Sequence, residues 1–303
     1  MEPRVFPWPR FPEYALLDSG GAEKLERFGP VTLRRPDPQA LWRPRRDESL
    51  WAEADLAFVR ESDRGGRWVP GPKAPDYLRG PEPSWELHWG PARFVLRPTP
   101  FKHVGLFPEQ AANWAWLLEA GRTLAARGVE RPRLLNLFGY TGAASVLGAA
   151  AGWEVTHVDA SKTSLSWLRE NLVASGLGPD CLRLLCDDAL AFARREVRRG
   201  SRYHALLLDP PHQGRGPKGE RWRLETGLAP LIEAAGELLA EQAVLVLSTY
   251  AVGYSPLAFG NLLAELPPGE TAVGELAIPE EDGERLLPAG FCARYARGLE
   301  LEP

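Results

Sequence analysis

Methionine occurs once in this 303-residue chain, and cysteine three times. Cys181, Cys186 and Cys292 show no Cys-x-x-Cys spacing. That argues against a disulfide framework and a zinc site, and fits a reducing cytoplasm. No run approaches about 18 consecutive apolar residues, so no membrane span is expected. The opening stretch, 1-MEPRVFPWPRFPEY-14, has no apolar run behind a basic start and does not read as a signal peptide. No sign of charge dominates. The formal net charge is -4, which speaks weakly against a general polyanion binder but leaves room for a local basic face. What is present suffices for a core: 44% hydrophobic and 25% charged residues, in a length that suits two domains or one large one.

The pattern changes near residue 100. Before it lie 6 of the 11 tryptophans and short β-like runs, 31-VTLRR-35, 84-SWELHW-89 and 93-RFVLRP-98, separated by glycine and proline turns. Residues 1–100 read as a small, β-rich N-terminal domain with a possible role in target recognition, or equally as an extension packed on the main domain. From 101 to 303, short apolar runs alternate with helical periodicity. The expected strands are 133–138, 153–159, 181–186, 203–209 and 243–249, with helices over 109–128, 141–152, 161–176, 187–200 and 224–240. Such alternation implies βαβ crossovers and a mostly parallel α/β sheet, with ligands bound beyond the C-terminal strand ends.

Four strand ends carry polar punctuation. The first runs 134-LLNLFGYTGAAS-145, a strand, a glycine turn and a helix start. Gly142 would let backbone pass close to a ligand, although a plain tight turn reads equally well. The second ends at Asp159, suited to ribose hydroxyls, or to capping the helix after Ser161. The third ends in Asp187 and Asp188, which could cap a helix or meet an adenine amino group. The fourth ends in 209-DPP-211, a rigid turn that leaves carbonyls and a carboxylate at the crevice.

Together these residues resemble class I S-adenosylmethionine (SAM) dependent methyltransferases. More narrowly, they are similar to the group that modifies large-subunit ribosomal RNA at cytosine C5 or guanine N7. The matching motifs are 136-NLFGYTG-142, 158-VDAS-161, 187-DDALAF-192 and 209-DPP-211. Upstream, 107-FPEQAANW-114 keeps Phe107, Gln110 and Asn113 of a further motif but has Ala111 and Trp114 where arginines are usual. The likeness covers roughly residues 100–300, and no PUA domain is readable before it. It implies a Rossmann-like sheet of seven strands, the last antiparallel, and SAM as cofactor. It places Phe138, Tyr140, Thr141 and Gly142 at the methionine end, Asp159 on the ribose with Ser161 nearby, and Asp188 or Asp187 at the adenine. Gln110, Asn113 and Asn136 join the cofactor-binding set through the same motifs. Asp209, Pro210 and Pro211 form the floor where acceptor meets methyl group.

Cytosine C5 chemistry needs a cysteine thiolate. Tyr250 stands where the resemblance leads one to expect that cysteine, so the usual C5 route is doubtful. His212 takes the place of an aromatic residue that would stack on the acceptor base; it either stacks or is a solvent-exposed loop residue. The loop 212-HQGRGPKGERWR-223 offers Arg215, Lys218, Arg221 and Arg223 with Trp222 between them, which suits RNA phosphates and unpaired bases. A second basic run, Arg194 to Arg202, reads as a solvated face. The expected function is therefore methylation of an RNA base, with ribosomal RNA as partner, in the cytoplasm, without metal or membrane. The alternative is a methyltransferase of a protein or small molecule, for which the acidic net charge speaks. A nicotinamide oxidoreductase is disfavoured because the turn after the first strand, with only Gly139 and Gly142, lacks the G-x-G-x-x-G spacing.

Overall fold

A computed structural model describes residues 4–62, 65–250 and 253–302. The chain forms two units. The smaller comprises Trp8–Ala111 and Ala277–Ala289; the larger comprises Met1–Pro7, Ala112–Leu276 and Gly290–Pro303.

The smaller unit contains β1 (Tyr14–Gly20), β2 (Glu23–Phe28), β3 (Val31–Pro36), α1 (Glu48–Ala52), β4 (Leu56–Ser62), β5 (Gly65–Pro70), β6 (Trp85–Trp89) and β7 (Ala92–Leu96). The first five strands form one sheet in the order β1-β2-β3-β4-β5, and β6 with β7 forms a separate hairpin. Strand β3 alternates buried and half-buried residues, the period-2 pattern of a one-sided sheet. Strand β2 breaks that pattern by burying Glu26. Its carboxylate accepts two N–H groups of Arg35 at 2.8 Å each and the Tyr14 hydroxyl at 2.8 Å. Burial pushes this carboxyl up, but Arg35 and Lys24 outweigh that and hold it below its ordinary value. Residues 277–289 join this unit, where the Ser19 hydroxyl donates to Glu280 at 2.7 Å.

The larger unit follows the alternating pattern: α2 (Ala111–Ala126), β8 (Arg133–Leu137), α3 (Ala143–Ala150), β9 (Glu154–Asp159), α4 (Lys162–Ala174), β10 (Arg183–Cys186), α5 (Ala189–Arg198), β11 (Tyr203–Leu208), β12 (Gln213–Arg215), β13 (Arg221–Arg223), α6 (Leu224–Leu238), β14 (Leu239–Thr249), α7 (Pro256–Leu263), β15 (Glu270–Pro279) and β16 (Leu286–Arg297). Seven strands form the sheet β10-β9-β8-β11-β14-β16-β15. Strands β10, β9, β8, β11 and β14 run parallel, and the last strand, β16, is antiparallel to β14. The core on the sheet is mainly aliphatic, with Leu135, Leu206, Leu231, Ile232 and Leu245 wholly buried beside aromatic residues such as Phe192 and Tyr203. N-terminal residues 4–7 also belong to this unit. Phe6 N–H donates to the Glu275 carbonyl at 3.0 Å, and Glu275 N–H to the Arg4 carbonyl at 2.9 Å, so a cut at residue 100 does not follow the packing. Among the described residues, no helix is long and apolar enough to cross a membrane.

Candidate active site

Strand order reverses between β8 and β11, so the crevice opens at their C-terminal ends. The register sets its floor. Leu137 pairs with Val158 and with Leu208, and Leu208 pairs with Leu247. The next residues, Asp159, Phe138, Asp209 and Ser248, therefore stand at one level, at or near the strand ends. Cys292 on β16 pairs with Ser248 and Cys186 on β10 with Asp159, which completes the row.

The turn after β8 is tightly wound. Phe138, Tyr140 and Gly142 have φ of 58°, 51° and 83°. For the two aromatic residues the left-handed conformation costs about 1–3 kcal/mol each, so surrounding bonds must hold it. Tyr140 N–H donates to Asp159 Oδ2 at 2.9 Å, and Gly142 N–H to the Gly139 carbonyl at 2.9 Å. The glycines turn out to be packing residues. A Cβ on Gly139 would stand 2.3 Å from the His157 ring, and one on Gly142 would stand 2.2 Å from Leu168. Gly142 thus admits α4 and a positive φ, and its missing side chain faces protein. Beneath the turn, Asn136 Nδ2 donates to Ser145 Oγ, which lies 2.9 Å from His157 Nδ1. Burial pushes His157 down to about 3, so its ring is neutral. The Asn136 amide is therefore turned onto Ser145 within the support of the loop. Thr141 is also buried, and its carbonyl accepts from Asn171 Nδ2 at 2.9 Å.

Asp159 ties the turn to the next strand end. Oδ2 accepts from Tyr140 N–H, and Oδ1 accepts from Ser161 N–H at 2.8 Å. Burial raises its carboxyl above the ordinary aspartate value, against the two backbone donors. Ser161 caps α4, accepting from Ser164 N–H at 3.2 Å. Asp188 caps α5, accepting from Ala191 N–H at 2.8 Å. Asp187 pairs with Arg195 and accepts from Asp188 N–H at 2.9 Å. Of the two acids, Asp187 is the one engaged by a cation.

After β11 the chain presents an exposed Asp209, a buried Pro210 and an exposed Pro211. His212 follows, exposed, with Nε2 2.8 Å from Glu225 Oε1. Residues 213–223 form a hairpin, with Gln213 paired to Arg223 and Arg215 to Arg221. Arg215, Lys218, Arg221 and Arg223 are exposed on it. Trp222 is a correction to the sequence reading: it is 6% exposed. Its Nε1–H donates to the Pro211 carbonyl at 2.7 Å, and its ring packs on Phe138 with centroids 4.9 Å apart. An indole so placed links two crevice loops and offers no face to a base. Strand alternation explains it, since Trp222 points opposite to Arg221 and Arg223.

Asn113, near the start of α2, is buried, and its Oδ1 accepts from Cys292 Sγ at 3.3 Å and Arg294 Nε at 3.1 Å. Burial pushes the Cys292 thiol up to about 11, with Asp209 a smaller contributor, so this cysteine remains a thiol. Arg294 is itself buried, its guanidinium 4.2 Å from the Phe6 ring centroid and 5.1 Å from that of Trp116. Cys186 Sγ lies 3.5 Å from the Ala160 carbonyl. Gln110 lies in the turn Pro108–Gln110, which belongs to the smaller unit. Sequence reading missed Glu225 and Arg294. Glu225 carries no spacing signal, because only the hairpin fold brings it to His212. Arg294 sits in an edge-side strand that looks like any other apolar run.

The arrangement joins a braced, acid-bearing turn to an exposed acid, imidazole and basic hairpin. No family model matches the chain. Among curated proteins it resembles the ribosomal RNA large subunit methyltransferase K/L of Shewanella sp. (strain MR-4), 33% identical over 129 residues, covering 40% of this chain and 16% of that protein. The protein of the same name from Chromohalobacter salexigens is 31% identical over 166 residues, covering 54% and 21%. This chain thus spans about a fifth or less of the length of these relatives. Among solved structures, SMU.776 in complex with SAH superposes with TM-score 0.70 at 16% identity, over 95% of this chain and 76% of that one, a likeness of fold alone. The SAM dependent methyltransferase from Agrobacterium tumefaciens is 39% identical, with TM-score 0.89, over 98% of this chain and 94% of that one. At that identity and coverage, the chain belongs to the SAM-dependent methyltransferases.

Proposed function

We propose that this enzyme methylates a base of RNA, with ribosomal RNA as substrate, and without a cysteine nucleophile. The observation that carries the reading is the exposed basic hairpin directly after D-P-P. Four cations, Arg215, Lys218, Arg221 and Arg223, stand beside the strand end that holds Asp209. Phosphates would engage them while a flipped base enters toward the D-P-P floor. The curated relatives named as ribosomal RNA methyltransferases support the same substrate class. Cys292 is buried and held as a thiol, and Tyr250 is exposed where a nucleophilic cysteine would be sought.

SAM fits the residues present. Each Asp159 oxygen accepts one backbone N–H, and a carboxylate has about four acceptor positions in all. Capacity therefore remains for a ribose diol. Phe138, Tyr140, Thr141 and Gly142 form the turn that would face the methionine portion, with Asn113 and Asn136 contributing directly or through support. Asp188, already an N-cap, would meet the adenine edge. When bound, SAM supplies an electrophilic methyl group on a sulfonium. The chain's own task is to orient the acceptor and accept its proton. The smaller unit, with its own sheet, is assigned to target recognition.

Salt titration of ribosomal RNA binding tests the substrate class. Affinity should fall with salt, and removing one hairpin cation should reduce the log–log slope by about 0.7–0.9. Binding insensitive to salt, or unaltered by removing all four cations, would contradict the assignment.

A further inference from the structure

His212, Glu225 and Tyr254 come from separate segments of the larger unit: the residue after D-P-P, the first turn of α6 and the stretch before α7. They meet in one cluster, with His212 and Glu225 exposed and Tyr254 half-buried. His212 Nε2 lies 2.8 Å from Glu225 Oε1. The Tyr254 hydroxyl donates to the same carboxylate, and its ring meets the imidazole edge-on with centroids 6.3 Å apart. Leu224 N–H donates to the His212 carbonyl at 3.0 Å, fixing the backbone beside α6.

The chemistry of the cluster is directional. Glu225 is held below its ordinary value, first by its own backbone N–H at the helix start, then by His212. An ionised carboxylate only accepts, so Nε2 of His212 donates to it. The neutral imidazole then carries its lone pair on Nδ1. A pair whose side chains are 48% and 47% exposed adds little to stability, so the fold does not require it. Its position, next to D-P-P, is where an acceptor base would be held.

Resting on the RNA reading above, we infer that His212 is the proton acceptor of methyl transfer, with Glu225 and Tyr254 as positioning residues, and that the acceptor is an exocyclic amino nitrogen of a nucleobase. The Asp209 carboxylate and His212 Nδ1 both attract an N–H donor. A ring nitrogen such as guanine N7 would turn a lone pair toward them and has no proton to release. An amine does: its lone pair forms the new N–C bond, the C–S bond breaks with its electron pair left on sulfur, and the nitrogen takes the positive charge. One N–H proton then passes to His212 Nδ1, and the imidazolium is stabilised by Glu225 until it loses the proton to water.

Nitrogen-15 NMR of the free protein tests the dyad without any ligand. His212 should appear as the Nε2–H tautomer when neutral, and Glu225→Ala should mix the tautomers. A wild-type His212 in the Nδ1–H form would overturn the proposal. With saturating SAM and the RNA that accepts label, His212→Ala should lower kcat by about 100-fold or more, leave KM for SAM within about twofold, and regain activity with added imidazole. A wild-type rate in that variant would overturn it. Nucleoside digestion should place the methyl on an exocyclic nitrogen; a C5 or N7 methyl would overturn the acceptor class. If the wild type labels no RNA, the RNA reading and the acceptor class fall together, while the tautomer measurement still decides the dyad.

Discussion

The turn after β8 and the segment after β11 leave neighbouring strands at the same level, yet they use their residues differently. In the turn, the glycines face protein and Thr141 is buried, while Phe138 and Tyr140 are half-buried. Gly139 meets His157, Gly142 meets Leu168, and Asn136 meets Ser145. In the segment after β11, Asp209, His212 and four cations face outward, and only Pro210 and Trp222 are buried. The first region is fixed before any ligand arrives; the second offers polar groups at a surface. A methyltransferase can use both, because SAM is the same in every turnover while the acceptor is met at the surface. Trp222 couples the two by bonding Pro211 and packing on Phe138.

The largest expected effect comes from breaking that coupling. Trp222→Ala should destabilise the larger unit by about 3–5 kcal/mol, as removal of a buried indole does. Denaturant unfolding measures it; a loss below about 1 kcal/mol would remove Trp222 from the core role. Gly142→Ala should cost about 1–3 kcal/mol, from a Cβ at φ 83° pressed on Leu168. A neutral outcome in thermal unfolding would mean the turn is looser than its bonds imply.

Much of this contrast was legible in the sequence, and the rest had physical reasons to stay hidden. The larger unit was readable because parallel strands buried on both faces appear as apolar runs, and 133–137, 154–159 and 203–208 fall inside the expected ranges. Strands 14–20, 23–28, 56–62 and 65–70 were not read. In β2, buried Glu26 depends on Arg35 nine residues away, and a charge in a strand hides its pattern. In β1, six of seven residues are buried, so alternation is absent. The hairpin strands 213–215 and 221–223 are too short for periodicity, so nothing in their sequence marks Trp222 as buried. The acids at the strand ends were visible, but their division of labour was not, since Arg195 selects Asp187 through helix geometry.

Asp159 sharpens the comparison on the cofactor side. Asp159→Ala should weaken SAM binding by about 1–3 kcal/mol, the cost of leaving donors unpaired. Unchanged affinity in calorimetry would remove the ribose role. Burial raises the Asp159 carboxyl in the fold, so the protonated form contributes stability below the unfolded value, and that contribution is lost as pH rises through the folded one. The ionised form that ribose hydroxyls need is lost in the opposite direction. SAM affinity should therefore begin to fall on acidification above the ordinary aspartate range, and a flat titration down to that range would contradict the assignment. The smallest effect on folding belongs to the hairpin cations. Arg215→Ala, Lys218→Ala, Arg221→Ala and Arg223→Ala should each shift stability by less than about 0.5 kcal/mol, as exposed charges do. A larger loss in any of them would mean that the hairpin, like the turn, is a packed element.

The most direct measurement is transfer of label from SAM to fractions of cells that lack this gene: ribosomal RNA, protein and small molecules, each with wild type and Asp209→Ala. The account predicts label in one ribosomal RNA with the wild type and none with the variant. Label confined to protein or small molecules would contradict the RNA assignment while leaving the SAM-dependent fold in place.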